Sequence, residues 1–172
     1  MITLDLKYPI GKFECEEKIS TEQVSKWIEE IRLLPEQLIE AVKYLTEDAL
    51  DQPYRENGWT IRQVVHHLAD SHSNAYTRFK FALTEDTPTI KPYDQDKWAE
   101  LIDSKIPISS SLKIIEGLHD RMAYLLENLT EEQRKRNFHH PDSGLVSIEK
   151  NIGIYAWHGK HHLAHIQNAL LT

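Results

Sequence analysis

Apolar residues recur at helical spacing along four long stretches of the chain. In the first, Trp27, Ile31, Leu34, Leu38, Val42 and Leu45 fall three or four apart, which places them on one face of an α-helix. Ser20-Thr-Glu-Gln23 ahead of them has the form of a capping box, whose side chains satisfy amide donors left without partners inside the helix. A start near Thr21 is predicted. Pro35 interrupts the pattern; its ring removes one hydrogen bond and crowds the preceding turn, which predicts a kink or two helices in sequence. A second capping box, Thr60-Ile-Arg-Gln63, opens the stretch Ile61, Val64, Val65, Leu68, Ala75, Phe79, Ala82 and Leu83. A third stretch covers 110–128 through Leu112, Ile115, Leu118, Met122, Leu125 and Leu126. A fourth is capped by Ser147 and reaches Leu170.

The connections differ in kind. Residues 46–58 hold Asp51, Pro53, Asn57 and Gly58, a turn-rich link. Residues 84–108 carry Pro88, Pro92 and Pro107 around Trp98, Leu101 and Ile102, which predicts a long crossover with one helical stretch. Thr130-Glu-Glu-Gln133 is a third capping box opening a short helix, and 137–146 reads as a hairpin or loop. Near the start, Ile2, Leu4 and Leu6 alternate before a turn at Pro9-Ile10-Gly11, predicting an extended N-terminal arm laid on the domain or on a partner subunit. Four amphipathic helices bury their apolar faces most simply against one another. The expected fold is all-α, an antiparallel four-helix bundle with a long crossover, and residues 1–172 form a single domain.

Composition narrows the possible partners. With 172 residues, 40% hydrophobic and 27% charged, the chain has the profile of an average globular domain. A net charge of -7 without a basic stripe argues against nucleic acid, whose binding requires cations that displace counterions. The single cysteine, Cys15, cannot form an internal disulfide; Glu14, Glu16 and Glu17 oppose the activating effect of Lys12 and Lys18, so an inert thiol is expected. No run of about 18 apolar residues offers a membrane span, and Met1 to Lys7 lack the basic and apolar regions of a secretion signal. A cytoplasmic location is expected.

Seven of the ten histidines fall in two groups: His66, His67 and His72 on the second helix, and His158, His161, His162 and His165 on the fourth. Neutral imidazole is a good ligand for zinc, nickel, copper or iron, and histidines four apart on a helix can reach one ion together. At about 100° per residue, Ile152, Ala156, Gly159, Leu163, Ile166 and Leu170 define a buried stripe. His162 borders this stripe and His158 comes next, whereas His161 is nearly opposite and is expected to meet solvent; His165 lies further round. The pair His158 and His162 is therefore favoured. On the second helix the same projection puts His72 at the centre of the apolar stripe, His67 on its flank and His66 nearly outside. A histidine on an apolar face is most often satisfied internally, so burial does not select His67.

Gly58-Trp-Thr-Ile-Arg-Gln-Val-Val-His-His-Leu-Ala-Asp-Ser-His72 and Tyr155-Ala-Trp-His-Gly-Lys-His-His-Leu-Ala-His-Ile166 resemble the DinB-like superfamily, specifically its YfiT-type branch of metal-dependent hydrolases. The resemblance extends over most of the chain, including Tyr8-Pro9-Ile10-Gly11, Leu50-Asp-Gln-Pro-Tyr-Arg55 and Arg78-Phe-Lys. It implies a four-helix bundle, a homodimer, and one zinc or nickel ion held by three histidines. These correspond here to His67, the second histidine of Val-Val-His-His-Leu, with His158 and His162 of the His-x-x-x-His motif. The wider superfamily also contains enzymes that conjugate low-molecular-weight thiols such as bacillithiol or mycothiol.

Three neutral histidines leave a fourth position on zinc open, where water with a pKa near 7 would suit hydrolysis of a small-molecule substrate and a deprotonated thiol would suit S-transfer. A noncatalytic metal-binding module is the third alternative. Zinc peptidases carry Glu directly after the first histidine, but Gly159 and Lys160 follow His158, which disfavours that chemistry. Gly159 would either make space beside the ion or permit close helix packing. Asp70, one turn beyond His67, could orient its second nitrogen, although a solvated or helix-pairing role is commoner. His139 and His140 read as loop histidines, and Trp59, Tyr155 and Trp157 as core aromatics.

Overall fold

The computed structural model describes residues 5–170; Ile2 and Leu4 of the expected arm lie outside them. The four apolar stretches form α1 (Thr21–Val42), α3 (Ile61–Thr84), α5 (Ser109–Glu127) and α7 (Ile148–Ala169). Between them lie the short helices α2 (Glu47–Leu50), α4 (Gln95–Ala99) and α6 (Glu131–Arg134), a 3-10 turn at Ile102–Lys105, and a hairpin of β1 (Asn137–His140) and β2 (Gly144–Ser147). Thr60 and Thr130 complete both halves of their capping boxes. Ser20 and Ser147 accept from the backbone amides of Gln23 and Lys150, starting α1 and α7 where their side chains predict.

Pro35 is buried within an unbroken α1. Having no N–H, it cannot donate to Ile31 O, the acceptor four residues back. His119 Nδ1 on α5 donates to that carbonyl instead, at 2.6 Å. The backbone position disturbed by proline is thus satisfied from a neighbouring helix, and α1 continues.

Each of α1 and α3 packs against both α5 and α7, so the first two long helices occupy a diagonal of the bundle. Trp27 lies over Gly153 and Leu34 over Gly159, which makes α1 and α7 parallel. His66 meets Ser111 and His72 meets His119, so α3 and α5 are parallel as well. His67 faces His162 while Arg78 reaches Tyr155, which sets α3 and α7 antiparallel. The order is up, down, down, up. The long crossover produces it by carrying the chain from the end of α3 back to the start of a parallel α5. His139 N donates to Pro88 O (2.9 Å) and Ile90 N to His139 O (3.0 Å), fastening this crossover to the hairpin.

The interior divides into two apolar clusters. One gathers Trp27, Ile31, Phe79, Met122, Leu126 and Ile152. The other gathers Leu38, Ile61, Val65, Leu68, Ile115 and Ile166. Between them the inward positions of α3, α5 and α7 carry histidine: His67 and His72, His119, and His158 and His162. Among the described residues no helix is long and apolar enough to cross a membrane.

Candidate metal centre

His67 and the His158/His162 pair face one another across the antiparallel α3–α7 contact. One ring nitrogen from each of the three lies within 4.8 Å of the other two. His67 Nε2 and His158 Nε2 are 3.2 Å apart, close to the separation of about 3.3 Å between two nitrogens bound tetrahedrally to one zinc ion at 2.0–2.1 Å. His67 and His162 are buried, and His158 is partly so. Desolvation, with the nearby His161, pushes His67 down to about 4. Desolvation likewise carries His158 and His162 well below the ordinary histidine value, followed for His158 by His67 and for His162 by His158. All three rings are therefore neutral at pH 7, with lone pairs available to a cation. The donor set fits a divalent transition ion.

Two further shells of histidine surround this cluster. On the buried side, His72 Nε2 is 3.1 Å from His158 Nδ1, and His72 Nδ1 is 2.9 Å from His119 Nε2. His72 is fully buried, with both nitrogens satisfied internally as its place on the apolar stripe predicts. Tyr155 packs perpendicular to its ring, with centroids 5.2 Å apart. His119 has no part in the two sequence clusters, yet Ile115, His119 and Met122 are spaced as one helical face, and that spacing marks it as inward.

On the other side, His165 Nδ1 lies 3.2 Å from His162 Nδ1, and its Nε2 donates to Lys7 O at 3.3 Å. His161, His162 and His165 form a second group with nitrogens within 4.8 Å of one another. His161 is 7% exposed, where the helical projection predicts solvent. It stacks on Trp157 at 4.5 Å, and Tyr8 of the arm lies beyond it at 5.9 Å. His66 is likewise buried rather than outside, bonded to Ser111 Oγ at 2.7 Å and Ile106 O at 3.0 Å. In both cases segments outside the bundle, the arm and the crossover, cover a face that a four-helix projection leaves bare.

His158 and His162 stand on the wall of a cleft of about 610 Å³ that also meets Tyr8, Arg55, Trp59 and Trp157. Trp59 is half-buried and packs on His67 with ring centroids 4.7 Å apart. Trp157 Nε1 donates to Gly11 O, which holds the arm over the cleft at a turn where Gly11 adopts φ +75°. These two aromatics belong to the cleft, while Tyr155 belongs to the core. Gly159 faces away from the histidines: a Cβ there would meet Leu34 Cδ2 at 2.6 Å, so its role is helix packing. Asp70 has Asp103 and Tyr93 of the crossover as electrostatic neighbours, and desolvation raises its pKa. Neither histidine group includes a carboxylate among the described residues. His139 is exposed and His140 half-buried on the hairpin.

Known proteins match nearly the whole chain. A Bacillus cereus (strain AH820) protein named "putative metal-dependent hydrolase" is 54% identical over 162 residues, 94% of each chain. An Oceanobacillus iheyensis protein of the same description is 56% identical over 160 residues, 93% of each. The solved structure of YfiT from Bacillus subtilis, described as "a probable metal-dependent hydrolase with an unusual four-helix bundle topology", superposes with a TM-score of 0.93 at 51% identity, covering 95% of each chain. A family model described as DinB superfamily matches residues 30–166, which span the four long helices from within α1 to the histidines of α7. On sequence and fold together, the chain belongs to the DinB superfamily.

Proposed function

We propose that this protein is a metal-dependent hydrolase of a small molecule, with His67, His158 and His162 holding one zinc or nickel ion. The observation that carries the proposal is the convergence of three neutral imidazoles beside an open cleft. The relatives' names support it. Held by three imidazoles, such an ion supplies a Lewis acid with an open position, where water has its pKa lowered to about 7. Trp59 and Trp157 give the cleft apolar walls, and Arg55 gives it a positive group. Tyr8 and Gly11 of the arm narrow the approach.

A second reading is thiol S-transfer, favoured by the absence of a carboxylate from both histidine groups among the described residues. An ion held by these histidines would favour loss of a bound thiol's proton to solvent, so this reading would require no carboxylate base in the cluster. Elemental analysis of untagged protein tests the shared premise, with about one zinc or nickel ion per chain expected. A panel of esters, amides and lactones then separates the reactions. Hydrolysis faster than by a His158→Ala/His162→Ala variant supports the first reading. Its absence, with metal-dependent conjugation of a low-molecular-weight thiol to an electrophile, supports the second. Bound metal without either turnover leaves the noncatalytic module.

A further inference from the structure

We propose that His119 and His72 are positioning residues that transmit one proton order from the main chain of α1 to His158, so that His158 offers an unprotonated Nε2 to the metal. The proposal rests on the reading that His67, His158 and His162 hold the ion, and it concerns what sets the ligand's tautomer.

The order starts at Ile31 O. A carbonyl oxygen can only accept, so His119 Nδ1, at 2.6 Å, carries the hydrogen. In a neutral ring His119 Nε2 is then an acceptor, and its partner at 2.9 Å, His72 Nδ1, must donate. His72 Nε2 is therefore an acceptor, and His158 Nδ1 at 3.1 Å donates to it. That leaves the lone pair of His158 on Nε2, the atom facing His67 Nε2. One acceptor of fixed polarity thus determines three tautomers in series. Neutrality follows from burial: His119 and His72 are 1% and 0% exposed, and an uncompensated imidazolium there would lose its hydration.

Pro35 strengthens the starting point, because it removes the helix amide that would otherwise share Ile31 O. Metal-binding histidines usually donate their second N–H to a carboxylate, backbone carbonyl or water, which fixes the ring and raises its basicity. Here a neutral imidazole takes that role, itself held by another. Apolar side chains at 72 and 119 would join the two flanking clusters into one core, so packing alone gives no reason for histidine at these positions.

Imidazole 15N NMR of the metal-free protein tests the order without any metal. His119, His72 and His158 are expected as Nδ1–H tautomers; a proton on His72 Nε2 overturns the proposal. Zinc titration and the cobalt absorption spectrum supply the second readout, with His119→Leu and His119→Gln compared. Leucine removes the acceptor for His72 and frees it to adopt the other tautomer, so zinc affinity should fall about 10- to 100-fold. Glutamine places an amide oxygen near the former Nε2, preserves an acceptor, and should restore affinity and the cobalt spectrum to near those of the parent. Equal loss in both variants, or no loss in either, overturns the relay. If the parent protein binds no zinc, nickel or cobalt, the metal reading fails, and the NMR tautomers alone decide the proton order. The unmodified protein serves for that measurement, so a leucine variant that fails to fold does not remove the test.

Discussion

The two flanks of the histidine cluster are built differently. On the buried flank, His158 leans on His72 and His119, and the chain of rings ends at Ile31 O inside the bundle. On the cleft flank, His162 leans on His165, which ends at Lys7 O of the arm through a longer bond of 3.3 Å. The same polarity argument applies to both, since each terminates at a carbonyl. Their environments differ: no solvent reaches the first anchor, whereas Lys7 is exposed at the cleft. A water molecule can replace a lost partner at the cleft but not in the core, so buried support should matter more.

Acid attacks both flanks at once and should have the largest effect. The folded-state pKa of His67 is lowered from 6.5 to about 4. As pH falls below about 6.5 the unfolded chain takes up the proton first, so stability is progressively lost down to about pH 4 and is not reduced by this group above 6.5. For His67 alone this is on the order of 3 kcal/mol, and the lowered values of His72, His158 and His162 act in the same direction. Denaturant midpoints of metal-free protein should fall steeply over that window; a flat profile would contradict neutral burial of the layer.

Removing a proposed metal ligand comes next. His67→Ala or His158→Ala should weaken zinc binding by more than about 100-fold, beyond the 10- to 100-fold typical of residues that merely support a ligand; calorimetric titration measures it. The flanks themselves separate at the third level. His165→Leu should weaken zinc binding only several-fold, less than His119→Leu; the reverse order would show that the arm, not the core, governs the site.

On zinc binding the smallest effect comes from the glycines of α7, away from either flank, which act on stability alone. At Gly153 a Cβ would meet the rigid Trp27 ring at 2.8 Å, and Gly153→Ala should cost about 1–3 kcal/mol. At Gly159 the obstacle is the tip of Leu34, which can turn, so Gly159→Ala should cost about 1 kcal/mol or less. Thermal unfolding would show this order, with zinc affinity unchanged in both.

Much of the frame is legible in the sequence because it depends on local chemistry. Capping residues and the apolar period place α1, α3, α5 and α7 to within a few residues, and the hairpin and crossover appear where turn residues cluster. The parallel packing of α1 with α7 is not local, and no period encodes it. Helical projection brings His158 and His162 together on the interior edge, while resemblance supplies His67; the structure sets the three side by side. Projection places His66 and His161 wrongly, because burial there comes from chain segments outside the four helices. His119 and Pro35 are each visible in the sequence, and the effect of Pro35 on Ile31 O is local, but nothing local brings His119, 88 residues away, to that carbonyl.

The helix order also sets how quickly such a site can come into being. Helical bundles commonly fold fast because their contacts are close in sequence. Here His67 and His158 are separated by 91 residues, and Trp27 can meet Gly153 only after nearly the whole intervening chain is gathered. Loop closure must precede these contacts. The protein should therefore fold slowly for a helical domain, and the histidine cluster should assemble as a late event on that path.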